Sequence, residues 1–291
     1  MPYTTLISTD ELASHLDDSS WLIADCRHDL RNEEWGHAQY EGAHIPGAVF
    51  VGVSHDLAGP RTGTNGRHPL PSVDAMAATF ARLGIGNGTQ VVAYDQDLGS
   101  FASRLWWMLR YLGHDAVAVL DGGFAKWWAR EEREVRCGIE QRASATFTPH
   151  ERREMLVKID EAVAHLGDPS VLLVDARSPE RFNGQPSDLD NVPGHIPGAR
   201  NRFYMDNLGA EKTMRPAGEL RREFEEVFGG HSPEHVIQYC GSGVTACHNL
   251  LAMEHAGLHG ARLYVGSWSE WESDPKRPIE RRSEVEGRTS K

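Results

Sequence analysis

Short runs of apolar residues alternate along the chain with longer segments in which apolar positions recur every three or four residues. The short runs are typical of buried strands, and the longer segments are typical of amphipathic helices. Strands are predicted at residues 21–25, 49–51, 91–94, 117–120, 171–175, 199–201, 236–239 and 262–265. Helices are predicted at 72–83, 100–112, 219–228 and 244–256. Short apolar strands separated by helices predict an α/β fold, with mostly parallel sheets flanked by helices on both faces.

The two halves of the chain repeat the same motifs in the same order. Asp-x-Arg at 25–27 recurs at 175–177, and His-Ile-Pro-Gly-Ala at 44–48 recurs at 195–199. Two further matches follow at nearly the same offset, which indicates duplication of one domain. A charged segment without clear periodicity separates the copies. We therefore predict a first domain, a linker and a second domain at 5–130, 131–153 and 154–280.

Composition and charge exclude several classes of function. The 291 residues carry a formal net charge of −12, which provides no basic field for nucleic acid or an anionic membrane. No apolar run approaches the roughly 20 residues that span a bilayer, and the start of the chain does not resemble a secretory signal, so a cytoplasmic location is expected. The four cysteines form no paired metal-binding spacing, and no metal site is expected.

The second copy carries a candidate nucleophile at the end of a predicted strand. Cys240 begins the sequence Cys-Gly-Ser-Gly-Val-Thr, in which Gly241 and Gly243 allow a tight turn of the backbone. The N–H groups of such a loop, continued through Val244 and Thr245 into a helix, form an anion-binding nest. We expect this loop to stabilise a thiolate at Cys240.

The first copy lacks this chemistry. Asp95 stands where the second copy has Cys240, and Asp97 adds a second negative charge nearby. A carboxylate cannot act as a sulfur nucleophile, so the first domain is predicted to be catalytically silent and to form one wall of a cleft. Arg27 and Arg177 occur in both copies, which favours a structural ion pair with the neighbouring aspartate.

The paired motifs and the cysteine loop resemble the tandem-domain rhodanese family of sulfurtransferases, over nearly the whole chain from Leu6 to Pro278. The loop that starts at Cys240 is similar to that of 3-mercaptopyruvate sulfurtransferases; thiosulfate-preferring members typically have Arg and Lys after the cysteine. The resemblance implies two rhodanese domains and a persulfide on Cys240. It also implies a small-molecule sulfur donor, an acceptor that is a thiol (thioredoxin or a small thiol) or cyanide, and no cofactor.

The resemblance implies roles for further residues. Arg181 matches an arginine that holds the carboxylate or sulfonate of the donor, although the second arginine that often follows in the family is missing here. The first-domain segment around Asp56, Arg67 and His68 is similar to one in which an Asp–His pair reaches the loop serine. We therefore expect an Asp56–His68–Ser242 relay that protonates the leaving enolate, with Arg67 beside the donor.

Three alternative functions are compatible with a fold of this kind. A thiosulfate:cyanide sulfurtransferase uses the same nucleophile and differs in its donor. A phosphatase of the same fold needs an arginine six residues after the cysteine, where this chain has Ala246. A rhodanese-like binding module without catalysis usually lacks the cysteine, which this chain keeps.

Overall fold

Two parallel sheets of five strands form the framework of the computed structural model, which describes residues 1–281. The first sheet contains β1 (Leu6–Ile7), β2 (Trp21–Asp25), β3 (Val49–Phe50), β4 (Gln90–Tyr94) and β5 (Val117–Leu120). The second contains β6 (Leu156–Val157), β7 (Leu172–Asp175), β8 (Arg200–Asn201), β9 (Val236–Tyr239) and β10 (Arg262–Tyr264). Their orders, β1-β5-β4-β2-β3 and β6-β10-β9-β7-β8, are the same order repeated. The predicted α/β fold with two parallel sheets is confirmed.

The helices flank these sheets. They are α1 (Thr9–Ala13), α2 (Trp35–Gly42), α3 (Val73–Arg82), α4 (Ser100–Tyr111), α5 (Ile159–Ala164), α6 (Pro179–Phe182), α7 (Ala217–Phe228), α8 (Thr245–His255) and α9 (Ser267–Trp271). A π-helical turn at Ala125–Arg130 and short 3₁₀ helices at Arg153–Met155, Tyr204–Asn207 and Pro233–His235 complete the helical segments of residues 1–281. The four predicted helices correspond to α3, α4, α7 and α8.

Local sequence explains where the longer helices begin and end. The side chain of Ser72 accepts a hydrogen bond from the N–H of Ala75 and caps the start of α3. In α7, Leu220, Phe224 and Phe228 recur every four residues and are buried along one face. Gly229 then takes a left-handed conformation with a φ of 56° and ends the helix.

One of the hydrophobic core clusters extends across both domains. Helix α4 of the first domain packs against α8 of the second, and a single cluster of buried side chains continues from Leu105 and Met108 to Leu250 and Leu251. These two helices follow β4 and β9, whose carboxyl ends are where ligands gather in parallel sheets. Packing α4 on α8 therefore brings the corresponding loops of the two copies to the boundary between the domains.

No helix within residues 1–281 is both long enough and apolar enough to cross a membrane.

Candidate active site

Cys240 directly follows β9 and lies at the centre of a tight loop. Its side chain is almost completely buried, and its sulfur accepts a hydrogen bond from the N–H of Gly243 over 3.2 Å. Gly243 has a φ of 75°, and a Cβ at this position would stand 2.2 Å from the carbonyl oxygen of Val265. Only glycine fits there, which explains the second glycine of the motif. Val244 is the residue before α8 and Thr245 is its first residue, so the unpaired N–H groups of the first helical turn follow directly on this loop.

A turn at the start of α9 fixes the Cys240 loop from behind. The hydroxyl of Ser267 accepts a hydrogen bond from the N–H of Cys240 over 3.1 Å. The N–H groups of Trp268 and Ser269 donate to the carbonyl oxygens of Cys240 and Gly241, both over 2.9 Å. These contacts hold the loop in shape without any ligand. Such an arrangement stabilises negative charge without a cost of reorganisation.

The second cysteine near this loop is chemically different. Cys247 is completely buried in α8, and its thiol donates a hydrogen bond to the carbonyl oxygen of Gly243 over 3.3 Å. Burial, with a smaller contribution from the neighbouring Cys240, raises the pKa of Cys247 to about 12. Cys247 is therefore a protonated thiol at neutral pH.

In the first domain, a carboxylate occupies the place of the sulfur. The side chain of Asp95 accepts hydrogen bonds from the N–H groups of Gly99 and Phe101, both over 2.8 Å, at the start of α4. Burial raises the pKa of Asp95, while these N–H groups act in the opposite direction. The anion-binding loop of this copy is thus filled by its own side chain.

Ser242 and His68 meet across the domain boundary. The Nδ1 atom of His68 lies 2.9 Å from the hydroxyl oxygen of Ser242, and both side chains are buried. Burial is the main cause that lowers the pKa of His68 to about 3, and the positive charge of Arg104 adds to it. His68 is therefore a neutral imidazole at neutral pH.

Asp56 does not take its predicted place in the relay. One carboxylate oxygen accepts the N–H of Gly52 over 2.8 Å, and the other pairs with the guanidinium of Arg82 on α3. Both oxygens of the carboxylate are thus occupied by Arg82 and the backbone of Gly52, and neither contacts His68. The structure thus brings together two members of the predicted relay, His68 and Ser242, and places the third elsewhere.

Two arginines from opposite domains flank the Cys240 loop. A Cβ on Gly241 would stand 2.8 Å from Nη2 of Arg67 and 2.9 Å from Nη2 of Arg181. Gly241 is thus the residue that lets both guanidinium groups approach the backbone. Arg67 is held in place because its side chain donates to the carbonyl oxygen of Leu189 and its N–H donates to Ser269 over 3.0 Å. A second cation beside Arg181, absent from the following residues of the sequence, is thus contributed by the first domain.

Arg181 has a partner of its own. Its Nε and Nη2 donate to the two carboxylate oxygens of Asp190 over 2.7 and 2.6 Å. Arg177, which pairs with the buried Asp175 over 2.7 Å, also contacts Asp190 over 3.3 Å. The guanidinium groups of Arg181, Arg177 and Arg67 together hold the pKa of Asp190 below its usual range against the effect of burial.

Sequence reasoning missed Arg104, a completely buried arginine of α4. Its guanidinium donates to the carbonyl oxygen of Gly243 over 3.0 Å, and to those of His68 and Leu57 over 3.3 and 3.4 Å. It therefore ties the Cys240 loop to the segment that carries His68. Burial lowers the pKa of Arg104, and no carboxylate within residues 1–281 forms an ion pair with it. The available signal was a charged residue directly before the apolar run Leu105–Leu109 of a predicted helix.

Within residues 1–281, no group of three or more His, Cys, Asp or Glu side chains is arranged to hold a metal ion.

The fold and the site define a tandem α/β protein with one cysteine loop at the boundary of two duplicated domains. The model of the rhodanese-like domain matches residues 8–130 and again residues 158–274. The chain therefore belongs to the rhodanese family, and it is an enzyme of the sulfurtransferase class.

Several known proteins are similar to this chain over almost its full length. A probable 3-mercaptopyruvate sulfurtransferase from Pseudomonas aeruginosa is 40% identical over 281 residues, covering 96% of this chain and 99% of that protein. A putative thiosulfate sulfurtransferase from Mycobacterium tuberculosis is 36% identical over 280 residues, covering 95% and 96%. The structure of a 3-mercaptopyruvate sulfurtransferase from Leishmania major superposes with a TM-score of 0.83 at 31% identity, covering 95% of this chain and 76% of that one.

Proposed function

We propose that the protein transfers a sulfur atom from 3-mercaptopyruvate, through a persulfide on Cys240, to a thiol or to cyanide. The observation that carries the proposal is the Cys240 loop, in which the N–H of Gly243 donates to the cysteine sulfur. The neutral Gly241 and Ser242 that follow the cysteine suit a donor with a carbon skeleton. The similarity to the Pseudomonas aeruginosa protein along both domains supports this donor.

In the first half of the proposed cycle, the Cys240 thiolate attacks the thiol sulfur of 3-mercaptopyruvate. A sulfur–sulfur bond forms, the bond between carbon and sulfur breaks, and its electron pair leaves on the enolate of pyruvate. One proton then converts this enolate to pyruvate. In the second half, a thiol or cyanide attacks the outer sulfur of the persulfide, and the Cys240 thiolate is released. Atoms and charges balance without a cofactor.

Ser242 is the group proposed to assist the leaving enolate. Its hydroxyl sits in the loop of the nucleophile, and His68 at 2.9 Å fixes its orientation. Because the pKa of His68 is lowered to about 3, we propose His68 as a neutral hydrogen-bonding partner of Ser242 and not as a cationic acid.

Arg181 and Arg67 are proposed to bind the carboxylate of the donor. Both guanidinium groups reach the backbone of Gly241 from opposite sides, so a carboxylate between them would lie beside Cys240. The N–H groups from Gly241 to Thr245 are proposed to stabilise the anionic persulfide.

The two domains are proposed to have different roles in the reaction. Residues 154–280 carry the nucleophile, while residues 5–130 contribute His68, Arg67 and Arg104 but no covalent chemistry. The carboxylate of Asp95 fills the first-domain loop, which supports this catalytically silent role. Residues 131–153 link the two domains.

Thiosulfate is the second candidate donor. The similarity to the putative thiosulfate sulfurtransferase of Mycobacterium tuberculosis and the two arginines beside Gly241 favour it. With thiosulfate, the same attack by Cys240 releases sulfite, which needs no proton from Ser242. Thioredoxin, a small thiol or cyanide would accept the sulfur from either donor.

Persulfide formation tests the proposal directly. The purified enzyme is mixed with 3-mercaptopyruvate or with thiosulfate, and the intact mass is measured before an acceptor is added. We expect a mass increase of one sulfur atom on Cys240 and a higher kcat/KM with 3-mercaptopyruvate. Cys240→Ser should lose the increase, whereas the matched control Cys247→Ser should keep it. Persulfide formation in Cys240→Ser, or none in the unmodified enzyme with either donor, would refute the proposal.

A further inference from the structure

Asp190 is a buried carboxylate inside the site proposed to bind the donor. Its side chain is only 3% exposed, and it forms the bidentate pair with Arg181 together with a longer contact to Arg177. Bidentate pairs between arginine and carboxylate are the geometry in which an arginine recognises a carboxylate ligand. The protein thus places its own anion on the arginine that faces the donor.

This anion is fixed in position by its neighbours in the chain. The carbonyl oxygen of Leu189 accepts a hydrogen bond from Arg67, and the N–H of Val192 donates to the carboxylate of Glu272 over 2.8 Å. Because the backbone is held on both sides of Asp190, its carboxylate acts as a constant part of the site and not as a mobile side chain.

The pairing with Asp190 still leaves N–H groups available for a ligand on both Arg181 and Arg67. Asp190 engages Nε and Nη2 of Arg181, and Nη1 makes no hydrogen bond within the described part of the chain. Nη2 of Arg67 likewise has no hydrogen-bond partner among residues 1–281. An incoming sulfur donor can therefore be bound by these N–H groups while Asp190 stays in place.

The charges around the site decide which donor is favoured. Arg177 is compensated by Asp175. The local balance then sets the two cations Arg67 and Arg181 against two carboxylates, Asp190 and the buried Glu272, which both act on Arg67. Asp190 is the carboxylate that pairs directly with Arg181, and it cancels part of the positive charge there. The carboxylate of 3-mercaptopyruvate carries one negative charge, whereas thiosulfate carries two.

We propose that Asp190 is a specificity-determining residue, because it reduces the positive charge of the donor site and so favours a singly charged donor over a doubly charged one. The inference rests on the proposed function, since it concerns the choice of donor at the same cysteine. It assigns this choice to a residue that touches the binding arginine and not to the Cys240 loop alone.

The test is the substitution Asp190→Asn, which keeps the shape of the side chain and removes its charge. The ratio of kcat/KM for thiosulfate to kcat/KM for 3-mercaptopyruvate should rise about ten-fold, as expected for one unit of charge within a partly screened site. The matched control is Asp188→Asn. Asp188 lies two residues before Asp190 and forms an exposed ion pair with Arg31, so removal of its charge should leave the ratio unchanged. A merely structural role of Asp190 would change both donors by the same factor, and that result would overturn the proposal.

A second measurement does not depend on the folding of the variant. Anions are added to the unmodified enzyme, and their protection of Cys240 from alkylation by iodoacetamide is measured. Pyruvate, with one charge, should protect at lower concentration than sulfate, with two; the reverse order would overturn the proposal. If neither donor yields a persulfide, the proposed function fails, while the order of protection still decides whether the site prefers single charge.

Discussion

The buried His68 should make the stability of the protein depend on pH in a way that one substitution can isolate. The pKa of His68 is lowered from 6.5 to about 3, mainly because the imidazole is buried between the two domains. Between these two pH values the unfolded chain binds a proton at this position and the folded chain does not. The free energy of unfolding must therefore fall as the pH falls through 6.5, and the loss must continue until about pH 3.

The size of this effect follows from the two pKa values. With an unfolded pKa of 6.5, protonation of His68 favours the unfolded chain by about 2 kcal/mol at pH 5 and by less than about 0.1 kcal/mol at pH 7.5. His68→Asn keeps a polar atom near Ser242 and removes the titrating group. The stability advantage of the unmodified protein over this variant should therefore shrink by about 2 kcal/mol between pH 7.5 and pH 5.

Urea unfolding at the two pH values measures this difference. The control is Ser242→Ala, which removes the hydrogen-bond partner of His68 but no titrating group, so its stability difference from the unmodified protein should change far less. A second readout is sulfur transfer, whose pH profile should keep its shape in His68→Asn because the imidazole is neutral throughout. A stability difference for His68→Asn that does not change with pH would refute the assignment of His68 as a buried neutral base.

Three further substitutions separate binding, chemistry and support of the site. Ser242→Ala should lower kcat for 3-mercaptopyruvate by about a hundred-fold with little change in KM, as expected for loss of a proton donor; pyruvate release measures this, and a change in KM alone would contradict it. Arg181→Ala should raise KM for this donor by ten- to a hundred-fold, about the value of one charge-assisted contact, and an unchanged KM would argue against its role. Arg104→Met should lower the free energy of unfolding by about 3 kcal/mol, from three lost hydrogen bonds, and slow alkylation of Cys240. Arg110→Met on the same helix should leave that alkylation unchanged, and equal effects of both substitutions would show that Arg104 acts only on stability.

The central strands of the fold could be predicted because each is marked by a run of apolar residues in the sequence. Strands β2, β4 and β5 each contain a continuous apolar run of four residues, and the pattern predicts each of them. The edge strands Leu6–Ile7 and Leu156–Val157 have two residues each, which is too short for any periodicity. They are recognised only from their pairing with β5 and β10.

The candidate site, too, could be predicted only where its residues are close together in the sequence. The Cys240 loop could be recognised because its glycines are next to the cysteine in sequence and the turn needs them. Arg104 acts on Gly243 across 139 positions of the chain, and no local pattern predicts that contact. The position of Asp56 could not be derived for a related reason. The structure pairs its carboxylate with Arg82 on α3, a contact that no local pattern predicts.

Duplication explains how both domains can contribute to the proposed site although only one carries a candidate nucleophile. Each copy of the fold creates the same feature, a loop at the start of a helix whose N–H groups attract an anion. In the first copy Asp95 satisfies this loop permanently, so α4 is capped and can serve as a rigid support. In the second copy the loop surrounds the sulfur of Cys240, which accepts a hydrogen bond from the N–H of Gly243. Arg104 of α4 donates to the carbonyl oxygen of Gly243, so the first domain contributes a positive charge and a fixed contact to the loop that carries the proposed nucleophile.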